Sequence, residues 1–178
     1  MGQYYKPSIL SEGNVKMCVQ PLDYDNGMKL MEHSWVGTRL TQAVETLLHN
    51  NPQHIAWAGD YDEKHDFYEQ GTDENKVQPT ISPIFMDEER NKHTFYIVNH
   101  TKKCAVRIPD MPADDCAWDE MKVHPLPLLT ATSNGLGGGD YWSEVNADKV
   151  GTWATDLIEV TEQVPQDYET QDIVFVED

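Results

Sequence analysis

The sequence predicts a single α+β domain, in which one clear helix packs on a strand-rich, mostly antiparallel sheet. Three observations support this class. Segment 38–50 has apolar residues at helical spacing, and the remaining apolar runs are short and separated by turn residues. The length of 178 residues suits one domain. We expect the domain to span 1–164 and an acidic tail to follow at 165–178.

The helix is predicted by apolar residues spaced three and four positions apart, namely Leu40, Ala43, Val44, Leu47 and Leu48. Thr38 can cap its start, because a threonine hydroxyl accepts a hydrogen bond from a free N–H group of the first turn. Pro52 ends it, because proline cannot continue a helix. The pattern therefore predicts one apolar face packed against the sheet.

Two β-hairpins are predicted from apolar runs that flank polar turns. The first joins Tyr4-Tyr5 to 15–19 through a turn at 11–14, and the second joins 95–98 to 104–108. Further elements are expected as strands at 55–58, 158–160 and 173–176, and as a short helix at 119–123.

Two segments are expected to lie outside the regular core. Segment 71–91 is polar and contains Pro79 and Pro83, which predicts a long surface loop or an insertion. The tail places acidic residues, including Glu177 and Asp178, around 173–176. This pattern predicts either an edge strand with charged flanks or a mobile acidic segment.

The charge excludes several classes of partner. Thirteen basic residues oppose 31 acidic ones, so the net charge is −18, and such a surface repels nucleic acid and anionic lipid. No apolar run approaches the roughly 18 residues of a membrane span. Three cysteines without a paired spacing, and no secretory leader, predict a reduced, cytoplasmic protein. The oligomeric state stays open.

Three polar segments form the first candidate site: 32–33, 60–62 and 137–140. Their candidate ligands are Glu32, His33, Asp60, Asp62 and Asp140. Carboxylates are hard ligands for a divalent cation, which is the only cofactor considered, and His33 is the candidate acid or base. The alternative is that these segments are solvated turns and a structural glycine loop. Gly135–Gly139 lacks the spacing of a phosphate-binding loop.

The second candidate site is an acidic surface around an aromatic anchor. Trp118 is surrounded by carboxylates, namely Asp110, Asp114, Asp115, Asp119 and Glu120. Carboxylates spread over one face can occupy a basic cleft, and an aromatic side chain can anchor the contact. The alternative is a surface whose charge serves only solubility.

Seven short segments also occur together in a recognisable combination: MGQYY at 1–5, NGMKLMEHSW at 26–35, WAGDY at 57–61, VNHTKK at 98–103, HPLPLLTA at 124–131, GGGDY at 137–141 and VGTWA at 150–154. Together they resemble an uncharacterised family of small intracellular proteins of bacteria and their phages. The resemblance implies no reaction. Relatives often carry arginine where this chain has Leu136 and Thr155, which puts an anion site there in doubt.

These observations lead to three hypotheses of function. The first is an acidic, phage-type accessory protein that binds and blocks a basic surface of a host protein, one that handles nucleic acid or takes part in defence. The second is a small enzyme or ligand sensor that uses the three polar segments. The third is a structural or virion-associated protein. The lack of a catalytic motif favours the first.

Overall fold

The computed structural model describes residues 1–176, which form nine strands and five helices. The strands are β1 Tyr5–Ser11, β2 Asn14–Val19, β3 Gln53–Gly59, β4 Lys76–Val77, β5 Tyr96–Asn99, β6 Cys104–Arg107, β7 Ala131–Thr132, β8 Leu157–Thr161 and β9 Glu169–Gln171. The helices are α1 Leu30–His33, α2 Arg39–Leu48, α3 Phe67–Gln70, α4 Asp87–Arg90 and α5 Pro125–Leu129. None of these helices has the length and apolar character needed to cross a membrane.

All strands belong to one mixed sheet, which agrees with the predicted α+β class. Its order is β4-β2-β1-β3-β8-β5-β6-β9, and β7 pairs separately with β3. The ladders β2–β4, β3–β7 and β6–β9 are parallel, and the others are antiparallel. Strand β3 changes partner along its length: its start pairs with β8, and its end pairs with β7.

Both predicted hairpins are present. Strands β1 and β2 meet at a two-residue turn, where Glu12 and Gly13 have φ of 51° and 78°. Positive φ at both positions matches the twist of the strands, and glycine adopts it without steric cost. Strands β5 and β6 form the second hairpin, in which Asn99 pairs with Cys104 next to the turn.

Helix α2 confirms the predicted helix, with Thr38 as its cap. The Thr38 hydroxyl accepts a hydrogen bond from the Thr41 N–H at 3.2 Å. The helix ends at Leu48, two residues before the predicted end, because Asn50 takes a left-handed conformation with φ of 50°. On the apolar face, Leu40, Ala43, Val44 and Leu48 are fully buried, and Leu47 is partly buried.

The segment 71–91, predicted as a long surface loop or an insertion, contains short regular elements and three buried residues, Gly71, Phe85 and Arg90. This segment contributes β4 and α4, and it covers the polar side of α2. The Gln42 amide donates to the Phe85 carbonyl at 2.9 Å, and the Ser82 N–H donates to the Thr46 hydroxyl at 3.0 Å. Phe85 is fully buried. The segment is therefore mostly exposed but is attached to the core through Phe85 and through polar residues of α2.

A buried ion cluster joins this segment to the rest of the domain. Arg90 forms two 2.6 Å hydrogen bonds with the two carboxylate oxygens of Glu45. The His124 Nε2–H donates to Glu45 at 2.6 Å, while its Nδ1 accepts from the Leu126 N–H. Complete burial raises the pKa of Glu45, but Arg90 and His124 outweigh burial and lower that pKa overall. Burial lowers the pKa of His124, so the ring is neutral.

Two predicted elements near the end of the chain are also corrected. The expected helix at 119–123 is a 3₁₀ turn at Trp118–Glu120, because Val123 is extended and bridges to Trp35. The edge strand is β9 rather than 173–176. Beyond β9, Ile173 and Phe175 turn into the core. The predicted acidic residues Glu177 and Asp178 lie outside the described residues.

We expect Arg90→Met to lower the free energy of unfolding by about 3–5 kcal/mol, because Glu45 would remain buried without its cationic partner. Urea unfolding at neutral pH measures this change. The matched control is Arg39→Met, which breaks the exposed ion pair with Asp25 and should cost less than about 1 kcal/mol. Equal losses in the two variants would contradict a structural role for the cluster.

Candidate functional site

The three predicted polar segments come together around the N-terminal residues. Gly2 bridges to Gly138, and the Met31 N–H donates to the Gly139 carbonyl at 3.0 Å. The backbones of Tyr4 and Asp60 are hydrogen bonded, and the Tyr4 N–H also donates to the Asp60 carboxylate at 2.9 Å. The segments are therefore neighbours, as the prediction of one site required.

His33 has a structural environment. Its ring is fully buried, its Nε2–H donates to the Gly27 carbonyl at 2.7 Å, and its Nδ1 accepts from the Trp57 indole N–H at 2.8 Å. Burial lowers the pKa of His33 to about 4. With both nitrogens engaged and no exposed surface, this ring holds β3 to the 27–33 segment.

The carboxylates of Glu32, which is exposed, and Asp140, which is buried, also form hydrogen bonds within the protein. Glu32 accepts a hydrogen bond from the Lys29 N–H at 2.9 Å, at the start of α1. Asp140 is buried and accepts from the Tyr5 hydroxyl at 2.7 Å and from the Gly137 N–H at 2.9 Å. Burial raises the pKa of Asp140, although both hydrogen bonds oppose that rise. Asp140 therefore closes the glycine-rich loop onto β1.

Asp62 differs from the other carboxylates because it contacts the ring of His65, and both residues line a cavity. Its side chain accepts from the Lys64 and His65 N–H groups and lies 2.9 Å from the His65 Nδ1. Burial alone would raise the pKa of Asp62, but these hydrogen bonds lower it overall. Within residues 1–176, no three His, Cys, Asp or Glu side chains are grouped as a metal site would require.

The second candidate site contains a groove of 660 Å³ beside Trp118. Six residues that define this tryptophan groove are Trp35, Val106, Trp118, Val123, Ile173 and Phe175. Trp118 is 72% exposed, and its ring lies 5.6 Å from the Trp35 ring at an angle of 59°. Trp118 therefore stands over the groove, supported on one side by a second indole.

The predicted acidic residues lie on the segment that carries Trp118. Asp119 lines the groove, and Asp114 and Asp115 are exposed nearby in sequence. Asp110 forms a 2.9 Å ion pair with Arg107, and Glu120 accepts from the Ala117 N–H at 2.8 Å. Asp119 thus lies at the groove, while Asp114 and Asp115 are exposed on the preceding part of the same segment.

Sequence reasoning missed several residues of the groove. Two basic residues, Arg107 and Lys122, also line it, as does Asp172 at the start of the final segment. Ile173 and Phe175 come from a segment that the sequence assigned to a strand. The run 173–176 is apolar throughout, and a short apolar run does not distinguish a strand from an extended segment packed on a core.

Comparison of the chain with protein-family models, curated proteins and solved structures finds no match. The resemblance to bacterial and phage proteins stays a prediction. The geometry of the sites is therefore the basis for the function proposed below.

We expect the stability of the protein to fall as the pH is lowered from about 6.5 toward 4. The pKa of folded His33 is lowered, so its contribution is complete above the ordinary pKa of 6.5 and is lost as the unfolded chain takes up a proton. The loss should reach about 3 kcal/mol. Urea unfolding across this pH range measures it.

His33→Gln supplies an amide that can serve both hydrogen-bond partners but does not titrate, so it should flatten this part of the pH profile. His54→Gln, at an exposed position, is the control and should leave the slope unchanged. A slope that is the same in His33→Gln and in the wild type would show that His33 does not carry the effect.

Proposed function

We propose that the protein binds a basic partner protein through the tryptophan groove. The observation that carries this proposal is the exposed Trp118, which packs at a tilt against Trp35 at the edge of a groove that Asp119 also lines. The bound segment would supply an apolar or aromatic side chain for the groove and flanking lysines or arginines for the carboxylates.

The apolar contribution to the proposed binding comes from the exposed ring of Trp118, which is unfavourable in water. A large aromatic ring gains free energy when a partner covers it, and tryptophan is enriched at the centres of protein interfaces. The contact with Trp35 limits the orientations of Trp118 before binding, which reduces the entropy lost on association. The walls at Val123 and Phe175 offer further apolar surface.

The charged part rests on the excess of carboxylates. The net charge of −18 attracts a basic protein over a distance of about one Debye length, and attraction of this kind speeds association. Asp119 adds a carboxylate at the groove, and Asp114 and Asp115 add two on the preceding part of the same segment. The groove is also lined by two basic residues, Lys122 and Arg107, of which Arg107 is paired with Asp110. Because these cations repel other cations, a partner must place its own lysines and arginines outside the groove.

Proteins that handle nucleic acid present basic surfaces of this kind, so a host nucleic-acid-handling or defence protein is the partner class we infer. A phage-type accessory role in the bacterial cytoplasm belongs to the same proposal. It is supported by the charge and by the resemblance of the sequence segments.

The test is binding of a fluorescein-labelled peptide in which lysines flank one central phenylalanine. The wild type should bind it, and Trp118→Ala should weaken binding about thirtyfold, as expected for loss of a central anchor. Trp142→Ala is the matched control, because Trp142 is 59% exposed and lies outside the groove. Fluorescence anisotropy measures the dissociation constants.

Two further comparisons separate the apolar from the charged contribution. Replacing the peptide phenylalanine by alanine should abolish the difference between wild type and Trp118→Ala. The triple variant of Asp114, Asp115 and Asp119 to asparagine should weaken binding more than neutralising Glu12, Asp73 and Glu74, which changes the net charge equally. Equal binding by Trp118→Ala and Trp142→Ala would overturn the proposal.

A further inference from the structure

A second cavity lies at the point where β3 changes partner. It has a volume of 700 Å³ and is lined by residues that follow β3, by residues that follow β7, and by the 147–155 segment. Strand β3 pairs with β8 only at its start and with β7 only at its end. Strands β7 and β8 therefore follow each other along the same side of β3. We call this space the strand-switch cavity. It is separate from the tryptophan groove and shares no lining residue with it.

One wall of the strand-switch cavity is held firmly in place. The Gly151 N–H donates to the Leu128 carbonyl and the Trp153 N–H to the Leu129 carbonyl, both at 2.8 Å. Gly151 has φ of 76°, and a Cβ there would lie 2.8 Å from the Ala131 carbonyl oxygen, so only glycine fits. The wall is therefore preformed, as small-molecule sites usually are.

The same wall contains a strained residue. Thr155 has φ of 71°, a conformation that a β-branched residue adopts at a cost of about 1–3 kcal/mol. Its N–H donates to the Ile55 carbonyl at 2.8 Å, which keeps it in this conformation. Strain that the surroundings enforce is typical of residues that shape a ligand site.

His65 provides an oriented hydrogen-bonding group at the opposite side. Its Nδ1 faces the Asp62 carboxylate, and its ring stacks on Phe67 at 4.6 Å with an interplanar angle of 10°. A carboxylate only accepts hydrogen bonds, so in the neutral ring the proton lies on Nδ1 and Nε2 is an acceptor. The Nε2 atom of His65 has no hydrogen-bond partner among residues 1–176, and His65 lines the cavity.

The other lining groups define the ligand chemistry. Ser133 accepts from the Gly135 N–H, and Asn134 Oδ1 accepts from the Leu136 N–H, so the Asn134 amide N–H groups are free to donate. The Thr152 hydroxyl donates to the Lys149 carbonyl and can still accept. The Tyr141 ring adds an apolar face.

We propose that the strand-switch cavity binds a neutral, polyhydroxylated small molecule, such as a sugar or polyol. The ligand's hydroxyl groups can donate to His65 Nε2 and Thr152 and accept from Asn134, and its C–H surface can lie against Tyr141. Lys64 and Asp62 both line the cavity and offset each other, so the net charge of −18 disfavours an anionic ligand. The cavity volume suits a molecule of one or two sugar rings.

The experiment is a titration of the ¹⁵N-labelled full chain with glucose, maltose and sorbitol, followed by amide chemical shifts. A dissociation constant of about 1 mM is expected for such weak contacts, with saturable shifts at His65, Gly135, Gly151 and Thr152. Inorganic phosphate is titrated separately. Saturable shifts with phosphate instead, or with none of the three polyols, would overturn the proposal.

Variants locate the ligand and separate this proposal from the groove. His65→Ala and Asn134→Ala should each weaken polyol binding about tenfold, since each removes one hydrogen bond. Asn134 is exposed, so its variant tests the contact even where His65→Ala alters the fold. Thr170→Val, on the edge strand β9, is the control and should bind normally. Trp118→Ala should leave the titration unchanged, because the groove and the cavity share no residue.

Discussion

The buried contact among Glu45, Arg90 and His124 is the constraint on which the arrangement of the domain depends. Charges that leave water are stable only when they are paired and hydrogen bonded, so the three side chains must meet in one geometry. They come from α2, α4 and the residue before α5. Val123, next to His124, bridges to Trp35, so the same cluster positions one wall of the tryptophan groove.

The elements that sequence reasoning predicted correctly are those with local causes. Helix α2 follows from apolar spacing and the Thr38 cap, and the first hairpin follows from the Glu12-Gly13 turn. The fold of 71–91 has a distant cause: Arg90 meets Glu45, which is 45 residues away. A glutamate on the polar side of an amphipathic helix is usually solvated, so nothing near Glu45 in the sequence indicated burial.

The same distinction explains how far the candidate sites could be predicted. Trp118 is exposed, because a tryptophan surrounded in sequence by charged residues has few apolar neighbours to bury it, and its role in an interface stays a prediction. His33 and Asp140 were grouped as site residues from their polarity and their position beside core elements. Polar residues with a purely structural role also lie beside core elements. The spacing of residues in the sequence does not show that Trp57 donates a hydrogen bond to His33, or that Tyr5 donates one to Asp140.

Charge alone does not place a partner on this protein, because carboxylates lie over much of its surface. Electrostatic attraction brings a basic protein close, but water and salt screen it at every exposed site, so it gives little preference for one patch. A preferred position requires apolar area that a partner can cover. Leu22, Leu136 and Trp142 are exposed too, but none of them lines the tryptophan groove. Trp118 combines exposure, contact with Trp35 and a groove of 660 Å³ beside it, and this combination is why we propose its face of the domain as the position for a bound protein.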